Sequence, residues 1–178
     1  MTRRDIAAVV LAATLGLAAL GAAAAETVRA TFVDGAGRKI GTAVLTQTPS
    51  GVLVEVDLAG LAPGWKAFHI HETGRCDPGS GFKSAGEHFA PRQEHHGLRA
   101  DKGPHGGDMP NQYVHRDGTL RAHVLNTLVT LSPSEASLLD ADGSALVLHA
   151  KPDDYRSQPA GEAGDRIACA VVTTGRGG

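Results

Sequence analysis

The chain carries nine histidines in 178 residues, and their spacing matters more than their number. Phe68-His69-Ile70-His71 sets two imidazoles two residues apart. On a strand, alternation points both to one face and Ile70 to the other, so a single metal ion can be held by both. Taken alone the pair is a weak signal, because most such pairs are surface or packing residues. One irregular stretch downstream then offers His88, His95, His96, His105 and Asp108. His105-Gly-Gly-Asp108 places an imidazole and a carboxylate three residues apart in a glycine-rich turn, a compact way to present nitrogen and oxygen to zinc. His149 closes the apolar run Leu146-Val147-Leu148. Six of these seven imidazoles with the one carboxylate, drawn from two strands and one loop, suit two metal ions better than one. The competing reading is a histidine-rich solvated loop that binds metal only loosely.

These side chains need a frame. Hydrophobic residues at 42% and charged residues at 20% describe an ordinary globular domain. A net charge of -2 argues against a nucleic-acid partner, which selects a basic excess. Twenty-three glycines and nine prolines against 4% aromatics point to a turn-rich β protein. Val52 to Leu58 alternates with period two, the mark of a half-buried strand. Residues 27–33 and 39–46 behave alike, with the turn Asp34-Gly35-Ala36-Gly37 between them. Residues 67–71, 119–131, 145–150 and 167–172 are further strand candidates, and such short, evenly spaced strands predict a sandwich or barrel. Residues 134–139 offer at most one helical turn. Two stretches, 72–119 and 152–165, break the strand pattern. Loops that long in a compact domain are usually functional or disordered, and these contain or adjoin the histidines.

Residues 1–25 read as a cleaved secretory signal peptide. Arg3 and Arg4 open it, an uncharged run rich in Ala, Leu and Val follows, and Ala22 to Ala25 offer small-residue cleavage options before Glu26. The mature domain is then 26–178, exported to the periplasm with no stable membrane association. An exported chain with two cysteines is expected to pair them.

The ordered run His69-Ile-His71-Glu-Thr-Gly-Arg-Cys76, Gly86-Glu-His88-Phe, His96-Gly, His105-Gly-Gly-Asp108, His149 and Gly164-Asp-Arg166-Ile-Ala-Cys169 resembles the copper,zinc superoxide dismutase family, in particular its exported bacterial branch. The resemblance spans nearly all of the mature chain. It implies an all-β fold, a Greek-key barrel or flattened sandwich of immunoglobulin-like architecture with two long functional loops. It implies dismutation of superoxide to dioxygen and hydrogen peroxide, with one copper and one zinc ion per subunit. Copper falls to His69, His71, His88 and His149, and zinc to His88, His96, His105 and Asp108, so that His88 bridges the two. The family spaces its zinc ligands eight, nine and three residues beyond the bridge, which selects His96 over His95.

The resemblance further implies that Arg166 overhangs the copper and orients a small anion, that Cys76 pairs with Cys169, and that Asp153 joins a copper ligand to a zinc ligand from behind. Lys83 and Arg92 lie where they could steer the substrate. His115 and His123 match no motif and read as solvated. A homodimer is compatible with the resemblance, though no apolar patch is readable as an interface. A metal carrier on this fold would need neither Arg166 nor a complete zinc set, and a copper-only relative could discard His96, His105 and Asp108.

Overall fold

The computed structural model describes residues 26–174; the expected signal segment lies outside the described residues. Eight strands form one antiparallel sheet: β1 (Thr27–Asp34), β2 (Lys39–Thr48), β3 (Gly51–Leu58), β4 (Gly64–His71), β5 (Asp108–Val114), β6 (Leu120–Asn126), β7 (Ser144–His149) and β8 (Arg166–Val172). Their order is β5-β4-β7-β8-β1-β2-β3-β6, and the two ends of the sheet approach each other, so the barrel is nearly closed. β4 pairs with β7 and β3 with β6, non-sequential neighbours joined by long connections in Greek-key fashion. The all-β expectation is met.

Two local expectations are corrected. β5 lies inside the stretch read as strandless, because Met109-Pro110-Asn111-Gln112 shows no hydrophobic alternation and is recruited by its neighbour β4. Residues 134–139 do not form a helical turn. Their main chain instead makes a short bridge, Thr130 with Ser137, and Leu138 is buried in the core.

Alternation divides the barrel wall into two faces. Phe32, Leu45, Val54, Phe68, Ile70, Leu146, Leu148 and Ala170 fill the interior. Their neighbours in sequence on β4, β7 and β8 point outward, where exposed apolar groups would be costly. A smaller cluster of Phe82, Ala85, Ala145, Val147 and Cys169 covers part of that outer face. The segment between β4 and β5 drapes over it. Cys76 in that segment is disulfide-bonded to Cys169 on β8, with Cα atoms 5.7 Å apart and a sequence separation of 93. Closing so long a loop restricts the unfolded chain and stabilises the fold by about 2–5 kcal/mol. The segment is also stitched by main-chain bonds: Ile70 donates to Gly107, Phe89 to Ile70, and Gly107 to Phe89. Gly107 permits this, since a Cβ there would overlap the Ile70 carbonyl oxygen.

Candidate metal centre

On the outer face of the wall, under this segment, two groups of side chains converge. His69, His71, His88 and His149 bring one ring nitrogen each within 4.8 Å of one another, and so do His88, His96, His105 and Asp108 with one ligand atom each. His69 and His71 are on β4, with Ile70 turned into the core. His149 ends β7 beside a register shift after Leu148. His88 makes a main-chain bridge to His71, which fixes its height above the wall.

Each imidazole of the first group has its outer nitrogen committed. His71 Nδ1 donates to the Gly86 carbonyl at 2.9 Å, His149 Nδ1 to the Gly164 carbonyl at 3.2 Å, and His69 Nε2 to Asp153 Oδ2 at 2.9 Å. These bonds set the tautomers. The remaining nitrogens, His69 Nδ1, His71 Nε2, His88 Nε2 and His149 Nε2, are buried and have no hydrogen-bond partner. An unpaired buried acceptor is costly, and four aimed at one point fit a soft or borderline metal ion with an all-nitrogen coordination preference. Burial holds the pKa of His71 well below its ordinary value, that of His88 down to about 4 and that of His149 down to about 3. Neutral imidazole is the form a metal ligand needs.

The second group is built differently. Asp108 Oδ1 receives His88 Nδ1 at 2.9 Å, His96 Nδ1 at 3.0 Å and His105 Nδ1 at 3.3 Å. Three imidazole nitrogens on one carboxylate oxygen is a close-packed nitrogen and oxygen set of the kind zinc accepts. His88 faces it with Nδ1 and the first group with Nε2, so one ring touches both. Burial opposes a charge on Asp108, but the three histidines and the Gly97 N–H hold its carboxyl far below the ordinary range. His96 lies between two carboxylates: Nε2 donates to Asp153 Oδ1 at 3.0 Å. Burial alone would lower its pKa, yet Asp108 and Asp153 together raise it to about 9.

Asp153 is itself buried and reaches both groups, His69 through Oδ2 and His96 through Oδ1. Gly161, at φ +64°, passes so close that a Cβ would overlap Asp153 Oδ1. Asp154, its neighbour, is exposed and accepts the N–H groups of Arg156 and Ser157 instead. Arg166 opens β8 and donates from Nη1 to the Phe82 carbonyl at 2.9 Å. Its charge acts on His71 and His149, and Glu87 acts on it in turn. Arg166 lines an open cleft with Lys83, Glu87 and Asp165. Arg92 is elsewhere, paired with Glu135 at 3.1 Å. His95 is exposed while His96 is fully buried; His115 and His123 are also exposed.

Three carboxamides escaped the sequence reading. Asn111 bonds the main chain of Asp153, Gln158 that of His96, and Asn126 donates to the Gly106 carbonyl at 2.8 Å. No motif marks them; asparagine and glutamine in irregular segments suggest only turns and caps.

The model of the copper/zinc superoxide dismutase family matches residues 39–172. A copper,zinc superoxide dismutase of Aquifex aeolicus is 52% identical over 145 residues, covering 80% of this chain and 85% of the relative. One from Caulobacter vibrioides is 43% identical over 141 residues, covering 78% and 80%. Among solved structures, a mutant of a superoxide-dismutase-like protein from Bacillus subtilis aligns with a TM-score of 0.78 at 34% identity, covering 82% of this chain and 97% of that one. The Brucella abortus copper,zinc enzyme gives 0.68 at 26%, covering 83% and 99%. Two histidine groups on a Greek-key wall, sharing one ring, therefore agree with the comparisons: this chain belongs to the copper/zinc superoxide dismutase family and is an oxidoreductase that dismutates superoxide with copper and zinc as its metals.

Proposed function

We propose that His69, His71, His88 and His149 hold the copper ion and that His88, His96, His105 and Asp108 hold the zinc ion. The observation that carries this is the division of donors: four unpartnered buried nitrogens face one point, and three imidazole nitrogens gather with Asp108 Oδ1 at the other. When bound, copper supplies a one-electron couple that is reduced by one superoxide and reoxidised by the next, while zinc is redox-inert and structural. Two superoxide ions and two protons then give one dioxygen and one hydrogen peroxide.

The chain's own residues handle charge and protons. Arg166 sits half-buried at the cleft with its guanidinium tied to Phe82, so its position is fixed before a substrate arrives. Its planar charge suits a small anion. Lys83, exposed in the same cleft, adds attraction at longer range, and Glu87 beside Arg166 limits how strongly any anion is retained. His88 can hold one proton at Nε2 and deliver it to the peroxide product, with the second drawn from solvent. Asp108 Oδ1 accepts from His88 Nδ1 and orients the ring before either ion is bound. Arg166→Glu tests the reading. Metal content should be unchanged and turnover should fall at least tenfold, about 1.4 kcal/mol in barrier. Wild-type turnover in the variant would remove the anion-guiding role.

The proposal also includes export. Residues 1–25 act as a signal peptide and 26–178 as the periplasmic enzyme, supported by the Cys76–Cys169 disulfide, which oxidising compartments preserve. Fractionation with N-terminal sequencing checks it, the expected first residue being Glu26. A homodimer is included on the strength of one exposed aromatic pair, Trp65 and Tyr113, in edge-to-face contact at 5.1 Å on β4 and β5. Sedimentation of wild type against Trp65→Ser decides it.

A further inference from the structure

Asp153 orients one ligand of each metal group, yet it lies in an irregular loop outside the strands. Something must hold it still. Asn111, on β5 three residues past Asp108, does so from both sides. Its Nδ2 donates to the Asp153 carbonyl at 2.9 Å and its Oδ1 receives the Asp153 N–H at 2.8 Å. Its own N–H donates to the Tyr155 hydroxyl at 2.7 Å, and the Tyr155 N–H donates to Asp153 Oδ1 at 2.6 Å. Tyr155 adopts a left-handed φ of 66°, which closes this short circuit.

The other end of the His96–Asp153 contact is held in the same way. Gln158 Oε1 receives the His96 N–H at 2.9 Å, and Gln158 Nε2 donates to the His96 carbonyl at 2.8 Å. A carboxamide that gives and takes one hydrogen bond on the same residue fixes both its distance and its orientation. The arrangement is reciprocal: Asn111 leaves β5 to grip the loop that carries Asp153, and Gln158 leaves that loop to grip the segment that carries His96.

We propose that Asn111 and Gln158 are positioning residues, paired carboxamide clamps that lock the His96–Asp153 contact so that the zinc ligands stand assembled before metal arrives. The inference rests on the assignment of zinc to His88, His96, His105 and Asp108. Neither clamp touches a metal ligand atom, so both act through the geometry of Asp153 and His96. Loosening either should raise the rate of zinc release while leaving copper, whose ligands stand mainly on β4 and β7, in place.

The test is a double-mutant cycle on the fully loaded enzyme, read by zinc transfer to a coloured chelator and by the absorption of cobalt substituted for zinc. Asn111→Leu and Gln158→Leu remove both bonds of a clamp. Each should speed zinc release by about tenfold, the lower end of the cost of losing an outer-shell partner, and alter the cobalt bands. In an Asp153→Ala background, Asn111→Leu should add less than about twofold, because the clamp then has nothing to aim. Additive effects, or wild-type release in the single variants, would overturn the proposal. If Asn111→Leu does not fold, Gln158→Leu alone carries the test through its release rate and cobalt bands. His105→Ala separates the two readings: full zinc retention in that variant defeats the zinc assignment itself, whereas zinc loss there with no change in the clamp variants defeats only the clamps.

Discussion

The two metal groups share a ring but are held by different physics. In the four-histidine group, three members stand on strands, and strand alternation sends them to one face. Two of their outer nitrogens bond to backbone carbonyls, of Gly86 and Gly164. In the mixed group only Asp108 belongs to a strand, as its first residue, while His88, His96 and His105 come from the draped segment. Its order comes from side chains: Asp153, Asn111, Gln158 and Asn126. The first group is as rigid as the barrel wall. The second is as rigid as its hydrogen-bond network, so perturbations of the loops should reach zinc before copper.

The severest way to break this comparison is to remove the shared ring. His88→Ala should cut turnover by about 100-fold or more, the scale of a lost proton donor, and should change the Cu(II) electron paramagnetic resonance spectrum. An unaltered spectrum would mean that the groups do not meet at His88.

Next in size is Asp153→Asn, which keeps shape but loses charge. We expect zinc affinity to fall about 10–100-fold with copper retained, measured by equilibrium dialysis against a chelator. Asp154→Asn, one residue away and with a side chain bonded only within its own turn, should do nothing. Equal zinc retention in all three proteins would assign Asp153 no part in the network.

Cys169→Ser frees the draped segment at one point. Stability should drop by about 2–5 kcal/mol in denaturant titration, and zinc should be lost at lower denaturant than copper. Simultaneous loss of both metals would erase the distinction between the groups.

The smallest effect concerns the metal-free protein and pH. His88 and His149, held at about 4 and about 3 in the fold, take up protons less readily than the unfolded chain. Stability should therefore fall as pH drops from about 6.5 towards 3. His96, raised to about 9, works oppositely. Its contribution is fully present below about 6.5 and is lost as pH rises through 9. Denaturation of the metal-free protein should show a maximum near pH 6.5, and Asp153→Asn should flatten the alkaline limb.

What was legible in the sequence follows the same division. His69-Ile-His71 announces itself because strand period is simple, and the apolar run before His149 names its strand. Of the mixed group, His105-Gly-Gly-Asp108 is legible as a local pattern, while the choice of His96 over His95 rests on the family resemblance; the structure puts His96 inside the group and His95 on the surface. β5 was hidden because a strand containing Pro110, Asn111 and Gln112 is specified by its neighbour β4 and not by its own alternation. Asn111 and Gln158 were invisible for a related reason: they act on main-chain atoms of residues 42 and 62 positions away, a relation no short motif encodes. Arg92 looked available for steering until its partner Glu135 was located.

Both metal groups stand on the outside of the barrel wall, and none of their side chains belongs to the interior packed around Phe32, Leu45 and Ile70. This separation predicts two kinds of inherited variation. Substitutions that leave a cavity in the interior cost about 2–5 kcal/mol and should show as reduced abundance of enzyme with normal specific activity. Substitutions among the polar residues of the draped segments, away from Cys76, Phe82 and Phe89, should leave abundance intact and change metal occupancy. The interior and the outer face can therefore drift at separate rates, each answering to a different selective pressure.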